Sequence, residues 1–290
     1  MKPSPLTVST LLCHRDVDMG LRCLKALTDC SDVPIEFAIH DDGSLSAEDR
    51  ERLLNPQASG IVVAGIVPRA EADAQMAERL AKYPHCAALR RRQAYGLKLF
   101  DIPLLSTDPV VRYIDSDVLF MRPVSGLFDL RDDQDCIFMQ DHQNAYAMRP
   151  WHMLDRRLKL PQKINSGLFV IRKKLVNLDK TEWLLAKDLP VFHKLPWFEQ
   201  TCWAWLSEKY NGYVWDGEQV KVVETTTVFD AELVAAHFVS PVRSRMNEIA
   251  LPAGRSTRAS VPAIKHRMKR LNPAAYMVET VRRSIRHRLL

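Results

Sequence analysis

The sequence predicts an α/β fold in which helices cover the faces of a mostly parallel sheet, and three observations lead there. Short β-branched runs alternate with amphipathic stretches through the first half of the chain, as βαβ units do. Several runs end in a cluster of turn-forming or acidic residues, the place where a strand hands over to a helix. With 47% hydrophobic residues over 290 positions, the chain can bury a sizeable core.

Taken in order, residues 8–13 form a candidate first strand, followed by a helical pattern with Met19, Leu21, Leu24 and Leu27 on one face. The second strand, 35–40, ends in Asp41-Asp42-Gly43-Ser44, and Ser46 is the expected N-cap of a helix through Leu54, with Asp49 in its first turn. Residues 61–67 read as a strand buried on both faces because the run is almost continuously apolar. Helices are expected over 70–83 and 92–105, the second interrupted or ended near Pro103. The next strand, 110–114, delivers Asp115-Ser116-Asp117 at its carboxyl end, where open α/β sheets bind their ligands. Further on come a short strand at 136–140, a polar loop over 141–163, a strand at 164–171, helices at 181–189 and 199–209, irregular β over 213–223 and a last strand at 235–239. A loop that long inside a compact domain points to binding.

Charge divides the chain unevenly. Residues 241–290 hold 12 Lys+Arg against 2 Asp+Glu, which leaves 29 against 33 for the rest, so the formal +6 belongs to the tail. There Ile264, Met268, Leu271, Ala275, Val278, Val281, Ile285 and Leu289 recur at three- and four-residue steps among arginines and lysines, and Asn272-Pro273 divides the segment into two expected helices. The organisation expected is a body over 1–250, a linker over 251–263 and basic amphipathic helices over 264–290. These helices either lie on an anionic membrane leaflet or dock on the body. Six cysteines without a C-x-x-C pair exclude a zinc ribbon or thioredoxin-like site and read as buried thiols of a reducing cytoplasm. The N-terminus has no signal-peptide pattern, and no apolar run approaches the roughly 20 residues of a spanning helix, so the expected location is cytoplasmic, with peripheral attachment to the inner face of a membrane left open.

Two aspartates separated by one residue after a strand point the same way, so both carboxylates can hold one divalent cation, Mg²⁺ or Mn²⁺, with phosphate completing the shell. The alternative for a lone D-x-D is a solvated turn. Here the pair lies between Val111-Arg112-Tyr113-Ile114 and Val118-Leu119-Phe120, and carboxylates set into buried chain need a counter-charge. This segment resembles the metal-binding strand of GT-A fold glycosyltransferases, whose sheet is Rossmann-like. Ile164-Asn165-Ser166-Gly167 resembles the asparagine-serine-glycine strand of retaining members similar to glycogenin and bacterial lipopolysaccharide galactosyltransferases. Glu199-Gln200-Thr201 resembles the start of their acidic-glutamine-acidic helix, with threonine in place of the second acid. His237 stands where they carry a third metal ligand, although the glycine and lysine-proline-tryptophan that follow in the family are absent here.

The resemblance covers about residues 6 to 245, and it implies transfer of a sugar from a nucleotide-diphosphate donor to a glycan or lipid-linked hydroxyl. It implies Asp115, Asp117 and His237 as metal ligands. His14, Asp41, Lys98, Asp115, Ser116, Asn165, Gly167 and Arg243 would bind the donor, and Gln200, Asn165 and Glu199 would act at the reacting centre. For His237 the other reading is a hydrogen-bonded histidine in an apolar strand, and for Lys98 and Arg243 ordinary ion pairing. Retention needs no strong base; inversion would call on Glu199 or Asp141. Residues 141–144, Tyr146, Trp151, Trp197, Phe198, Trp203 and Trp205 offer acceptor contacts or core packing. A nucleic-acid binder would explain the basic tail but not the acidic pair, and a sugar-nucleotide pyrophosphorylase would need a glycine-rich loop where Cys13-His14-Arg15-Asp16 stands.

Overall fold

The computed structural model describes residues 4–148, 152, 155, 157–192, 197–249 and 259–289, without the side chains of 188–192 and 283–289. The chain opens with β1 (Leu6–Leu12), α1 (Val17–Cys30), β2 (Ile35–Asp41), α2 (Ala47–Leu54), α3 (Pro56–Ser59), β3 (Val63–Val67) and α4 (Arg69–Arg79). The Ser46 side chain caps α2, and Asp49 returns the bond to the Ser46 N–H, a reciprocal arrangement that satisfies two otherwise unpaired donors. A pair of helices, α5 (Pro84–Arg92) and α6 (Ala94–Leu105), then leads to β4 (Val110–Ile114), β5 (Val118–Phe120), β6 (Val124–Ser125), β7 (Cys136–Gln140) and β8 (Ile164–Arg172). The second half adds α7 (Leu178–Phe192), α8 (Phe198–Ser207), β9 (Gly212–Trp215), β10 (Val220–Val222), β11 (Ala235–His237), a 3-10 helix over Ser240–Glu248, β12 (Val261–Pro262), β13 (Lys265–Arg267) and α9 (Pro273–Leu289).

The main sheet runs in the order β3-β2-β1-β4-β8-β7-β10-β11-β5, with β9 and β13 attached through β7. It is mixed, which corrects the expectation of a mostly parallel sheet. Strands β3, β2, β1 and β4 are parallel, but β8 is antiparallel to both β4 and β7, and β5 is antiparallel to β11. An apolar run reports burial on both faces and carries no information about direction, so the sequence of β8 could not reveal it.

Two further expectations change. Strand β3, expected to be buried on both faces, is a half-exposed sheet edge, because no other strand covers its outer side. Residues 264–271 are not helical: Lys265–Arg267 pairs antiparallel with Tyr213–Trp215, and Leu271 and Tyr276 are buried against the body. The Tyr276 hydroxyl donates to the Met148 carbonyl at 2.6 Å. The basic tail is therefore one helix, α9, reached through an edge strand; edge pairing satisfied backbone groups that the apolar spacing alone assigned to a helix. Most of the expected linker lies outside the described residues, and Val261–Pro262 pairs with β6.

Two apolar clusters fill the two faces of the sheet. One joins β1, β2 and α1 to β5 and β11; in the other, Phe138, Phe169 and Trp203 meet with ring centroids 5.2 to 6.4 Å apart and anchor α8 beneath β8. Each such ring, fully withdrawn from water, contributes about 1.5–3 kcal/mol, and the packing holds β4, β8 and α8 in fixed relation.

Candidate active site and metal centre

At the carboxyl ends of β1 and β4 a cleft of about 700 Å³ opens between the halves of the sheet. Asp115 and Asp117 bracket the turn between β4 and β5. The two are held differently: Asp115 is partly exposed, whereas Asp117 is buried. Strand β11 runs antiparallel to β5 with His237 opposite Val118, so the imidazole comes up beside both carboxylates. Its Nε2 lies 3.1 Å from Asp117 Oδ1 and 3.8 Å from Asp115 Oδ2.

The proton on the imidazole is placed by Asn165. The Asn165 amide nitrogen donates to Asp141 Oδ2 at 3.1 Å, so its oxygen must face the Gly167 N–H at 2.8 Å and His237 Nδ1 at 3.0 Å. Nδ1 therefore carries the hydrogen, and Nε2 is the atom turned toward two acidic groups. Gly167 is what allows this. A Cβ there would stand 2.4 Å from the His237 ring, closer than any side chain tolerates.

Asp115, Asp117 and His237 thus bring three ligand atoms within 4.8 Å of one another. Ligands at adjacent corners of an octahedral Mg²⁺- or Mn²⁺-type shell stand about 3 Å apart, so the 3.1 Å His237–Asp117 pair is already at that spacing and the wider ones would draw in around an ion, and the two-oxygen, one-nitrogen set suits a divalent cation chemically. Burial works to raise the Asp117 carboxyl, but His237 and Arg243 outweigh it and hold the group below its ordinary value. For His237 burial is opposed by Asp117 and then Asp115, which together raise the imidazole. Cation binding there would compete with protonation of Nε2.

Around this trio stand further charges. Lys98, buried on α6, contacts Asp115 Oδ2 at 2.9 Å and Ser166 Oγ at 3.3 Å, with Glu199 at 3.8 Å; burial would lower its ammonium, but Asp115 and Glu199 keep it raised. Glu199 accepts from Ser166 Oγ at 2.8 Å, and its other oxygen, Oε1, is buried. Burial first, and then Asp115, push its carboxyl up to about 7 against the pull of Lys98. Gln200 spans the floor, donating to the Ala145 carbonyl and accepting from the Ser166 N–H. Arg243 reaches in from the 3-10 helix to Asp117 Oδ2 through Nε at 3.0 Å and Nη2 at 2.8 Å.

The residues expected from the sequence therefore divide. Asp115, Ser116, Asp117, Lys98, Asn165, Glu199, Gln200, His237 and Arg243 line one cleft. Gly167 lies behind it, under His237. His14 and Asp41 are not in the lining: His14 Nδ1 is 2.6 Å from Asp49, and Asp41 accepts from the N–H groups of Gly43 and Leu45 and pairs with Arg50. The neighbouring residues Cys13, Arg15, Asp16 and Asp42 occupy the wall instead. Among the expected acceptor residues, Asp141, His142, Gln143 and Trp197 face the cleft, while Tyr146, Phe198, Trp203 and Trp205 are core, Asn144 is held by Glu279, and Trp151 lies outside the described residues. The sequence reading missed Tyr113, whose hydroxyl donates to Asp115 Oδ1 at 2.6 Å, and Ser166, which joins Lys98 to Glu199. Tyr113 was legible: it stands two residues before Asp115 and so shares its face of the strand.

No protein-family model matches the sequence, and a search of curated proteins finds no match. Solved structures do match in shape. A galactosyltransferase, LgtC, in complex with donor and acceptor sugar analogs superposes with a TM-score of 0.54 at 15% identity, covering 81% of this chain and 88% of that one. Mouse xyloside xylosyltransferase 1 gives 0.55 at 10% identity over 83% of this chain and 99% of that one.

The chain has the GT-A fold.

WbbM, a bifunctional glycosyltransferase in its apo form, agrees at a TM-score of 0.51 and 12% identity over 83% of this chain and 47% of that one. In this GT-A frame the acidic pair sits where β4 meets the cleft, and β11 brings His237 to it from 120 residues further along the chain.

Proposed function

We propose that this protein is a metal-dependent glycosyltransferase that moves a sugar from a nucleoside-diphosphate donor to a hydroxyl acceptor, with retention of anomeric configuration. The observation that carries this reading is the orientation of His237: Asn165 occupies Nδ1, and Nε2 faces Asp115 and Asp117 inside a cleft large enough for a nucleotide sugar. A bound Mn²⁺ or Mg²⁺ would neutralise the charge that grows on the departing diphosphate.

The protein's own groups then have distinct parts. Asn165 keeps His237 in the ligating tautomer, and Lys98 holds Asp115 in place. Arg243, at the rim, is the cation available to the diphosphate. Ser116 and the wall formed by Cys13, Arg15 and Asp16 take the nucleoside end. Glu199 and Gln200 stand together in the lining where the transferred sugar would sit, with Gln200 beside the reacting carbon. Retention is favoured because the carboxylates that inversion would need as base are both engaged, Glu199 by Ser166 and Lys98 and Asp141 by Asn165.

The acceptor, a glycan or lipid-linked sugar, would enter past Asp141, His142, Gln143 and Trp197. We assign α9 to an anionic membrane surface, with the enzyme in the cytoplasm on the inner leaflet as the accompanying proposal. Met277, Val278 and Val281 are exposed, Arg282 lies beside them, and no described helix is long and apolar enough to cross a membrane.

A panel of nucleotide sugars tests the reading. With Mn²⁺, one donor should be hydrolysed or should raise the melting temperature, and the effect should vanish in EDTA. No metal-dependent response to any donor would refute it, and an inverted anomer in the product would refute retention alone.

A further inference from the structure

Two cations already neutralise the carboxylates of the metal centre, and they are held in unlike ways. Lys98 is 3% exposed and fixed by Asp115, Ser166 and Glu199 together. Arg243 has a third of its side chain in solvent, and among the described residues its other ion-pair contact beside Asp117 is Asp16 at 3.4 Å. Its Nε and Nη2 both converge on Oδ2 of Asp117, while His237 Nε2 faces Oδ1 of the same carboxylate. Each oxygen of Asp117 thus has a partner before any metal arrives.

We infer that Arg243 is a resident counter-ion that competes with the metal for Asp117 and is released to the donor diphosphate when the metal binds. The inference rests on the metal-site reading above. Lys98 cannot make this exchange, because leaving would bury an ammonium without its acids. Arg243 can, because its guanidinium already stands at the mouth of the cleft and its fork suits phosphate as well as carboxylate. Metal alone then binds weakly, since the Asp117 charge it needs is already neutralised by Arg243 through Oδ2. Metal with diphosphate binds well, since the freed guanidinium gains a partner. By thermodynamic reciprocity, the same residue makes each of the two ligands strengthen the other. In this way the protein avoids holding a bare divalent cation and commits it to the donor complex.

The experiment uses Mn²⁺ alone, with no nucleotide, and follows its uptake by the electron paramagnetic resonance signal of the free ion. R243Q should bind Mn²⁺ about 5- to 10-fold more tightly than the unaltered protein, the scale expected when a partly exposed ion pair no longer competes. R243K, which keeps the charge but not the two-point contact, should fall between them and decides the matter if R243Q does not fold. R15Q removes another cleft cation that is paired with Asp16 and not with a ligand carboxylate, so it should shift Mn²⁺ affinity less than about twofold if direct competition and not overall charge is the cause. Equal affinity of R243Q and the unaltered protein, with uptake abolished by D115N, would overturn the exchange and leave the metal site standing. R15Q tightening as much as R243Q would overturn it as well. No Mn²⁺ uptake by any variant would overturn both.

Discussion

Strands β2 and β4 are parallel and both end in acidic residues on the same side of the sheet, yet one end closes on its own turn and the other opens on the cleft. Asp41 is satisfied within nine residues of itself, by the N–H groups of Gly43 and Leu45 and the side chain of Arg50. Gly43, at φ +103°, supplies the left-handed turn that lets those N–H groups point back. Asp117 has no such local satisfaction. Its side-chain partners, His237 and Arg243, come from 120 and 126 residues away. A carboxylate answered by its own turn is a cap. One answered only by distant charged groups was brought there by the fold at a desolvation cost, and ligand binding is the common reason for such an arrangement.

Exchanging the two acids breaks the comparison most directly. Asp117→Asn should lower donor turnover by roughly 100-fold or more and remove the rise in melting temperature with Mn²⁺, since it takes away a ligand charge. Asp41→Asn should do the reverse: it costs roughly 2 kcal/mol in denaturant unfolding through weaker bonds to two N–H groups, and it leaves the Mn²⁺ response in place. Loss of the metal response in both variants would erase the distinction.

Gly167→Ala probes the same site from behind. The added methyl meets the His237 ring, so about 1–3 kcal/mol of stability should be lost along with Mn²⁺ uptake, measured by melting and by metal titration. A fully metal-competent alanine variant would show that the imidazole does not need its present position.

Glu199 gives a subtler effect in pH. Its carboxyl ordinarily titrates near 4.5 and in the fold is pushed up to about 7, chiefly by burial. The folded protein therefore holds a proton that the unfolded chain releases, and stability falls as pH rises from 4.5 through about 7. At about 1.4 kcal/mol for each pKa unit, the ceiling is about 3 kcal/mol, reduced to the extent that Lys98 supports the charged form. Glu199→Gln, unfolded in EDTA across pH 5 to about 8, should flatten that decline; an unchanged slope would place the proton elsewhere.

The smallest effect is expected at His14, whose exposed ring rests on Asp49; that acid raises the imidazole above its ordinary value. His14→Ala should change the Michaelis constant for donor less than about twofold, as surface substitutions away from a site do. A tenfold rise would show that the ring swings to the donor and that the β1 end belongs with the β4 end after all.

How legible was all this in the sequence? The helix over 47–54 could be read because its cap and first-turn acid are neighbours, and β4 with its acidic pair because period-two alternation and an apolar run are local facts. His14 and Asp41 looked like donor contacts because a polar strand end reads alike whether it meets a ligand or its own turn. Helix α5 is not legible because its three arginines, Arg90 buried and Arg91 and Arg92 exposed, blur the apolar spacing, and the strand at 265–267 reads as helix because three residues are too few to show a period.

The sequence by itself determined the alternation of strands and helices, the place of Asp115 and Asp117 at a strand end, and the concentration of positive charge beyond residue 241, since each depends on residues close together in the chain. The antiparallel course of β8, the meeting of His237 and Arg243 with Asp117, and the tautomer imposed by Asn165 were decided only in three dimensions. Strand direction and side-chain partnership across more than 70 residues follow from how buried surfaces and backbone bonds are jointly satisfied, and that balance is struck by the whole fold rather than by any segment of it.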